Sequence, residues 1–416
     1  MTVIRLACSV NNYHWGKHGL QSKAAQFAAT NPGVAIDAAQ TYAELWMGTH
    51  ASGPSLVYGT GEALASAIAR DAPRLLGAGV ARKYAGQLPF LFKVLSIEKA
   101  LSIQAHPDKA LARVLHATRP DAYRDGNHKP EMSIALTDFV ALSGFRPLEQ
   151  IAGFLAAVPE LAALVRASAP ALVAAVRDGL GDAEKRAALR ALFSELMCAD
   201  AESVRGQLEA LVARVPAGAD ALDVSEGALV HRLSAEYPGD VGVFCVFLLN
   251  VLRLAPGDAF FMGPNDPHAY VFGDCVECMA TSDNVVRAGL TPKLRDVPVL
   301  VDMLTYDYGA PDAKLLRPHA YAHGGPASVV YDPPIDEFAV VRTALAPAQR
   351  EALAAVAGPQ ILLAAEGCGV LRLPASGESH ELRPGLVYFV GAATPLSIEA
   401  DEASALVTYA AQCLDC

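Results

Sequence analysis

Cysteine is scarce here: eight residues scattered through 416 are too few and too dispersed for a disulfide framework, so each is expected to be a reduced, mostly buried thiol. Basic residues are also in deficit. Lys and Arg total 33 against 44 Asp and Glu, a formal net charge of -11, which opposes the counterion-release term that drives DNA or RNA binding. A small phosphorylated ligand remains compatible, because two or three converging cations suffice to hold one phosphate. Long apolar runs are missing too. The longest, residues 241–252 (VGVFCVFLLNVL), falls well short of the roughly 20 residues that cross a bilayer and reads as a buried strand or core segment. The opening residues, MTVIRLACSVNNYHWG, have no sustained apolar stretch before a small-residue cleavage site, so a cytoplasmic location is expected. Neither a P-loop nor a dinucleotide fingerprint occurs, and neither ATP nor a nicotinamide is implied.

With 52% hydrophobic residues, the chain can bury more than one core, and its texture changes twice. Up to about residue 147 the apolar segments are short, β-branched or aromatic and bounded by Pro, Gly and Asp, as in 91–97 (LFKVLSI), 101–106 (LSIQAH) and 131–143 (EMSIALTDFVALS). They read as strands without intervening helices, which suggests an antiparallel barrel or sandwich. From 148 to about 215, Ala, Leu, Glu and Arg take over with apolar residues three and four apart. Breaks at Pro159, Pro170 and 179–181, with Asp182 and Asp200 as N-caps, divide this stretch into about four short helices. Strand texture returns near Val241 and continues through 259–263 and 268–279; a hairpin-like unit follows at 360–373 and 382–390, with Pro384-Gly385 echoing Pro256-Gly257. The expected division is therefore a discontinuous barrel of residues 1–147 and 236–319, a helical insertion at 148–235 and a second barrel at 320–416.

In a strand, side chains two apart share a face. Ser102, Gln104 and His106 should then project together, as should Lys129 with Glu131 and His268 with Tyr270. If these strands are neighbours, one amide oxygen, one carboxylate and two imidazoles can converge as a divalent-metal shell that keeps net positive character. Taken singly, each residue has an ordinary explanation: a hydrogen-bonded histidine at a strand end, or a solvated strand-end carboxylate. Cys275 and Cys278, as a lone CxxC pair on opposite faces of a strand, make a poor zinc site, and the same holds for Cys413 and Cys416.

Several blocks alter that balance: YHWG at 13–16, AELWMGTH at 43–50, KVLSIEKALSIQAHPDK at 93–109, NHKPE at 127–131, GFRP at 144–147 and HAYVFGDCVECMATSDNVVRAGLTPK at 268–293. Together they resemble type I phosphomannose isomerases. The resemblance implies a mainly β fold of the cupin kind, with a jelly-roll barrel, a helical insertion and a second C-terminal β-barrel. It implies one zinc ion per chain on Gln104, His106, Glu131 and His268. It further implies interconversion of mannose 6-phosphate and fructose 6-phosphate, by proton movement between C1 and C2 through a cis-enediol or enediolate, in the supply of mannose to nucleotide-sugar (GDP-mannose) synthesis.

On that expectation Arg287, Glu277 and Lys129 are the catalytic candidates, with Glu277 or Lys129 moving the proton and Arg287 stabilising an oxyanion or phosphate. Lys93, Ser102 and Lys293 are candidates for fixing the phosphate, and Tyr270 and Asp283 for shaping the pocket. Trp46 is most simply core. The partners expected are small sugar phosphates, with no nucleic acid, no membrane, and a monomeric chain. The generic cupin signature is distorted, since Gln104 stands where a first histidine is usual and residues 264–268 read PNDPH. Two rival readings are a non-catalytic sugar-binding cupin and a metal-dependent oxygenase; retention of Lys129, Glu277, Arg287 and Lys293 weighs against the first, and Gln104 as a fourth ligand against the second.

Overall fold

A computed structural model describes residues 2–218 and 225–413. Its centre is a ten-stranded antiparallel sheet built around the 13-residue strand His268–Ala280. The first half of this strand pairs with Phe139–Phe145 and, at His268, with Gln104 of the strand Ile103–Ala105. The second half pairs with Phe90–Ile97 on one side and Glu131–Ala135 on the other. Every segment carrying a candidate ligand is thus hydrogen-bonded to one strand or to its neighbour.

The strand Phe90–Ile97 shows why this sheet reads as apolar on both faces: all eight residues are buried. Phe90, Phe92 and Val94 pack against Ile361, Val387 and Phe389 of the C-terminal region, while Leu95 and Ile97 join Tyr270 and Phe260 inside the central sheet. Burying each such side chain contributes about 1.5–3 kcal/mol. Lys93 interrupts the inward-facing row, a position that only paired charge makes tolerable.

His268 and Glu277 are nine apart, and regular alternation would put them on opposite faces. Gly273 removes the conflict. Its φ is +116°, the register slips where Phe272 and Tyr270 face adjacent residues of Phe139–Phe145, and any Cβ at Gly273 would lie 2.5 Å from the Asp138 carbonyl. This bulge, open only to glycine, turns both ends of the strand toward one interior.

The C-terminal region is two packed sheets. An eight-stranded sheet including Ala339–Leu345, Gln360–Glu366 and Leu406–Gln412 faces a four-stranded one, with Leu362, Leu371, Ile398 and Leu406 between them. The chain is therefore sheet-rich with a helical insertion, as expected from its texture.

Several local expectations are corrected. The first 147 residues do contain helices, among them Leu64–Arg70, Ala78–Lys83 and Lys109–Thr118; the last is capped by Asp108, which accepts from the amides of Ala110 and Leu111. Residues 131–143 form two strands, Glu131–Ala135 and Phe139–Phe145, rather than one. Five helices fill 148–215, where about four are expected from sequence, and Gly181 rather than Asp182 occupies the N-cap of the fourth, whereas Asp200 caps as expected. The return of strand at Val241 is a fully buried 3-10 helix, Val241–Phe247, before the strand Leu249–Leu254; an all-apolar run reports burial but not conformation. Finally, Val3–Ala7 hydrogen-bonds to Val387–Val390, so the first strand lies in the C-terminal sheet although sequence order puts it with the first unit. No disulfide joins any cysteine among the described residues, and Cys416 lies outside them. No helix among the described residues is long and apolar enough to cross a membrane.

Glu337 ties the C-terminal region to the loop ahead of Glu131. It is buried and accepts a 2.7 Å hydrogen bond from His128 Nε2. Burial alone would raise its carboxyl, but the His128 hydrogen bond and charge, together with a backbone amide and Lys109, outweigh this and hold it below the usual range. Because the folded value lies below the unfolded one of about 4.3, the stabilisation is complete above that pH and disappears as pH falls through the folded value. Glu337→Gln should lose about 1–2 kcal/mol at pH 7. Denaturant unfolding should show that difference shrinking below about pH 4.

Candidate active site

The strand Ile103–Ala105 turns its Ile and Ala into the core and ends at His106, which lies just beyond it and is completely buried. Glu131 opens its strand and His268 opens the central one. Ligand atoms of His106, Glu131 and His268 all lie within 4.8 Å of one another. Each imidazole presents Nε2 at 3.2 Å from Glu131 Oε2. Their Nδ1 atoms donate outward, His106 to the Asn284 carbonyl at 2.6 Å and His268 to the Asp266 carbonyl at 3.1 Å. That arrangement fixes the tautomer and leaves Nε2 lone pairs facing the carboxylate, as metal-binding histidines require.

The electrostatics agree with a ligand set. Burial, reinforced by Lys129, lowers the His106 imidazole to about 4, so it is neutral. Burial pushes the Glu131 carboxyl up, but its surroundings, the Lys129 ammonium foremost, more than compensate and hold it well below the usual carboxylate range. His106 Nε2 is buried and, although near Glu131, makes no hydrogen bond of acceptable geometry among the described residues. Two imidazole nitrogen donors and one carboxylate suit a divalent cation with N/O preference, zinc included. Gln104 is the strand partner of both His268 and Arg287 and opens onto the same cavity, with its Oε1 3.5 Å from Ser102 Oγ.

That cavity, about 380 Å³, lies in front of the cluster. Its walls carry Lys93, Ser102, Gln104, Lys129, Glu131, Tyr270, Glu277, Asp283, Arg287 and Lys293. His106 and His268 stand behind Glu131. The structure thus gathers all twelve candidates about one site, with Lys293 and Asp283 exposed at the rim. A larger cavity of about 750 Å³ adjoins it at Asp283, lined by His50, Asp125, Asn127 and a mixture of other polar and apolar side chains. It has no lysine, arginine or ligand cluster, so the chemistry belongs to the smaller one.

Charges in the small cavity alternate. Lys129 Nζ bonds Glu131 Oε1 at 2.5 Å, and Lys93 Nζ lies 3.1 Å from Glu277 Oε2 and 3.9 Å from Glu44 Oε2. Burial works to discharge both Lys93 and Glu277. For Lys93 the carboxylates of Glu277 and Glu44 prevail and raise it. For Glu277 burial prevails: Lys93 opposes it, Glu131 adds negative charge nearby, and the carboxyl is raised. Tyr270, its own hydroxyl pushed well up by burial and by Glu277, donates to Glu277 Oε1 at 2.7 Å. Arg287 has neither an acidic partner nor a hydrogen-bond acceptor for its guanidinium among the described residues, and burial lowers it.

Four contributors escaped sequence reasoning. Glu44 sits two residues before Trp46, which reads from sequence as core; it accepts from the Trp46 indole and faces Lys93. Trp46 is itself part of the cavity wall, under the Lys93 ammonium at 5.1 Å. The carbonyls of Asn284 and Asp266 act through the backbone and carry no side-chain signal. Glu44 was detectable from the same two-residue parity that paired Lys129 with Glu131.

Similarity to known proteins agrees with the geometry. Residues 3–148, 165–249 and 328–373 match, in turn, the catalytic, helical insertion and C-terminal regions of type I phosphomannose isomerase. Mannose-6-phosphate isomerase of Schizosaccharomyces pombe is 43% identical, covering 98% of this chain and 99% of its own, and that of Saccharomyces cerevisiae is 43% identical, covering 98% of each. Among solved structures, a mannose 6-phosphate isomerase bound with zinc and yttrium superimposes with a TM-score of 0.82 at 31% identity over 98% of this chain and 99% of its own. A phosphomannose isomerase variant from Salmonella typhimurium gives 0.83 at 31% identity over the full length of both. With one interior gathering the ligand cluster and the charged cavity, and with similarity running the length of the chain, this protein belongs to the type I phosphomannose isomerase family.

Proposed function

We propose that the chain interconverts mannose 6-phosphate and fructose 6-phosphate through a cis-enediol or enediolate, with one zinc ion held by Gln104, His106, Glu131 and His268, and that it supplies mannose for nucleotide-sugar synthesis in the cytoplasm. The observation that carries this reading is a buried carboxyl with a raised pKa, Glu277, lining one small cavity together with Arg287, whose guanidinium has no acidic partner among the described residues, and with the carboxylate of the two-imidazole ligand cluster. The relatives bear the name of that activity. Bound zinc would supply Lewis-acid polarisation of the sugar oxygens.

The remaining work falls to side chains. Glu277 takes the proton from C2 and returns it to C1, a task suited to a carboxylate whose pKa burial has moved toward neutrality. Tyr270 orients it by donating to one oxygen, and Lys93 steadies the other. Lys129 is engaged with Glu131, which favours Glu277 over Lys129 as the base. Arg287, always charged, stabilises the developing oxyanion. Lys293 at the rim and Ser102 beside Gln104 are placed to hold the phosphate, and Tyr270 and Asp283 bound the sugar. The test is product formation from mannose 6-phosphate in a coupled assay run beside an oxygen electrode. Fructose 6-phosphate should form with no oxygen uptake; its absence with folded, zinc-loaded protein removes the reading, and oxygen uptake would favour an oxygenase.

A further inference from the structure

We infer that Asp240, at the end of the helical insertion, is a positioning residue for the arm that carries Arg287 and Lys293, an inference that rests on the isomerase reading of that arm. Asp240 caps the buried 3-10 helix Val241–Phe247 by accepting from the Gly242 amide at 2.7 Å. A cap needs no more than this local bond. Asp240 makes two others across 50 residues of chain: Oδ1 accepts from the Leu290 amide at 2.8 Å and Oδ2 from the Thr291 amide at 3.1 Å.

Those two amides belong to the turn between Arg287 and Lys293, and Leu290 and Thr291 border the cavity themselves. Leu290 is buried with φ +54°, a conformation that a branched side chain enters only when its surroundings dictate it. The dictating contacts are visible. Asp240 fixes the turn's amides, and backbone meets backbone where a Cβ on Gly289 would come within 2.5 Å of Gly242 Cα. Thr291 Oγ1 then accepts from the Lys293 amide at 3.0 Å, extending the constraint to the rim lysine. Arg287 has no side-chain partner of its own among the described residues, so its direction is set by this backbone. The helical insertion thereby aims the cations that meet the phosphorylated sugar.

The test compares full-length, zinc-loaded parent with Asp240→Asn and Asp240→Ala. The measurements are kcat and KM for mannose 6-phosphate, the inhibition constant of inorganic phosphate, direct calorimetric titration with inorganic phosphate, zinc content and melting temperature. Misaimed cations should raise KM and weaken phosphate binding together by about tenfold or more, with zinc content unchanged. A purely structural cap would lower the melting temperature and leave both constants within about twofold, which overturns the inference. Asp240→Glu keeps the charge and shifts the carboxylate by one methylene, so it is read the same way should the other variants fail to fold. A parent without isomerase activity removes the functional reading; an active parent whose variants bind phosphate normally removes only the role of Asp240.

Discussion

Glu277→Gln should lower kcat by about 10²- to 10⁴-fold, the range general acid–base catalysis supplies. KM and bound metal should stay within a few-fold of the parent. The amide retains an acceptor for Tyr270, and Lys93 keeps Glu44 at 3.9 Å, so the cavity is not left with an unpaired buried cation. What disappears is the proton-accepting form. In the parent, the acid limb of the kcat profile should lie above the ordinary carboxylate range, because burial raises Glu277 and only its ionised form accepts a proton. The rate should rise with pH through that limb, and the limb should be absent from the residual activity of the variant. Turnover within about threefold of the parent would take Glu277 out of the mechanism and return Lys129 as the candidate base.

Glu131→Gln should reduce metal affinity by at least about 100-fold, beyond what loss of a residue merely supporting a ligand costs. Activity should fall with it to near background. Glu131 Oε2 is the atom that both imidazoles face, and Oε1 neutralises Lys129. Substitution removes the only carboxylate of the ligand cluster and leaves the Lys129 ammonium buried without its counter-charge, so the cavity in front of the histidines becomes repulsive to cations. Metal analysis of the purified variant, read against circular dichroism to confirm folding, separates this from simple unfolding. Full occupancy at parental affinity would mean that the histidines and Gln104 suffice without Glu131.

Parts of this site were legible in sequence for a simple reason. Two-residue parity holds along extended chain, so Gln104 with His106 and Lys129 with Glu131 could be paired from sequence, although His106 lies just past its strand and Lys129 just ahead of the next. Parity does not carry across a bulge, and Glu277 joins His268 only because Gly273 inverts the alternation between them. Which strands neighbour one another is a long-range matter. The pairing of Val3–Ala7 with Val387–Val390 has no local signal, and the placing of Ile103–Ala105 between two other strands depends on contacts more than 150 residues away. Composition also misleads where it is uniform: Val241–Phe247 is apolar throughout and folds as a 3-10 helix because Asp240 caps it and backbone crosses it at Gly289. Glu44 was hidden for the opposite reason, as a charge inside a segment whose neighbours are all buried. The quoted sequence blocks bridged these gaps by supplying the neighbours that local rules could not.

The most direct measurement follows mannose 6-phosphate turnover by the intact protein as purified, after exhaustive chelation, and during stepwise return of zinc. Activity should fall to background on chelation while the far-ultraviolet spectrum persists, then recover fully near one equivalent of zinc per chain. Undiminished turnover by metal-free protein, or no turnover at any zinc level by the folded chain, would contradict a zinc-assisted isomerase built on His106, Glu131 and His268.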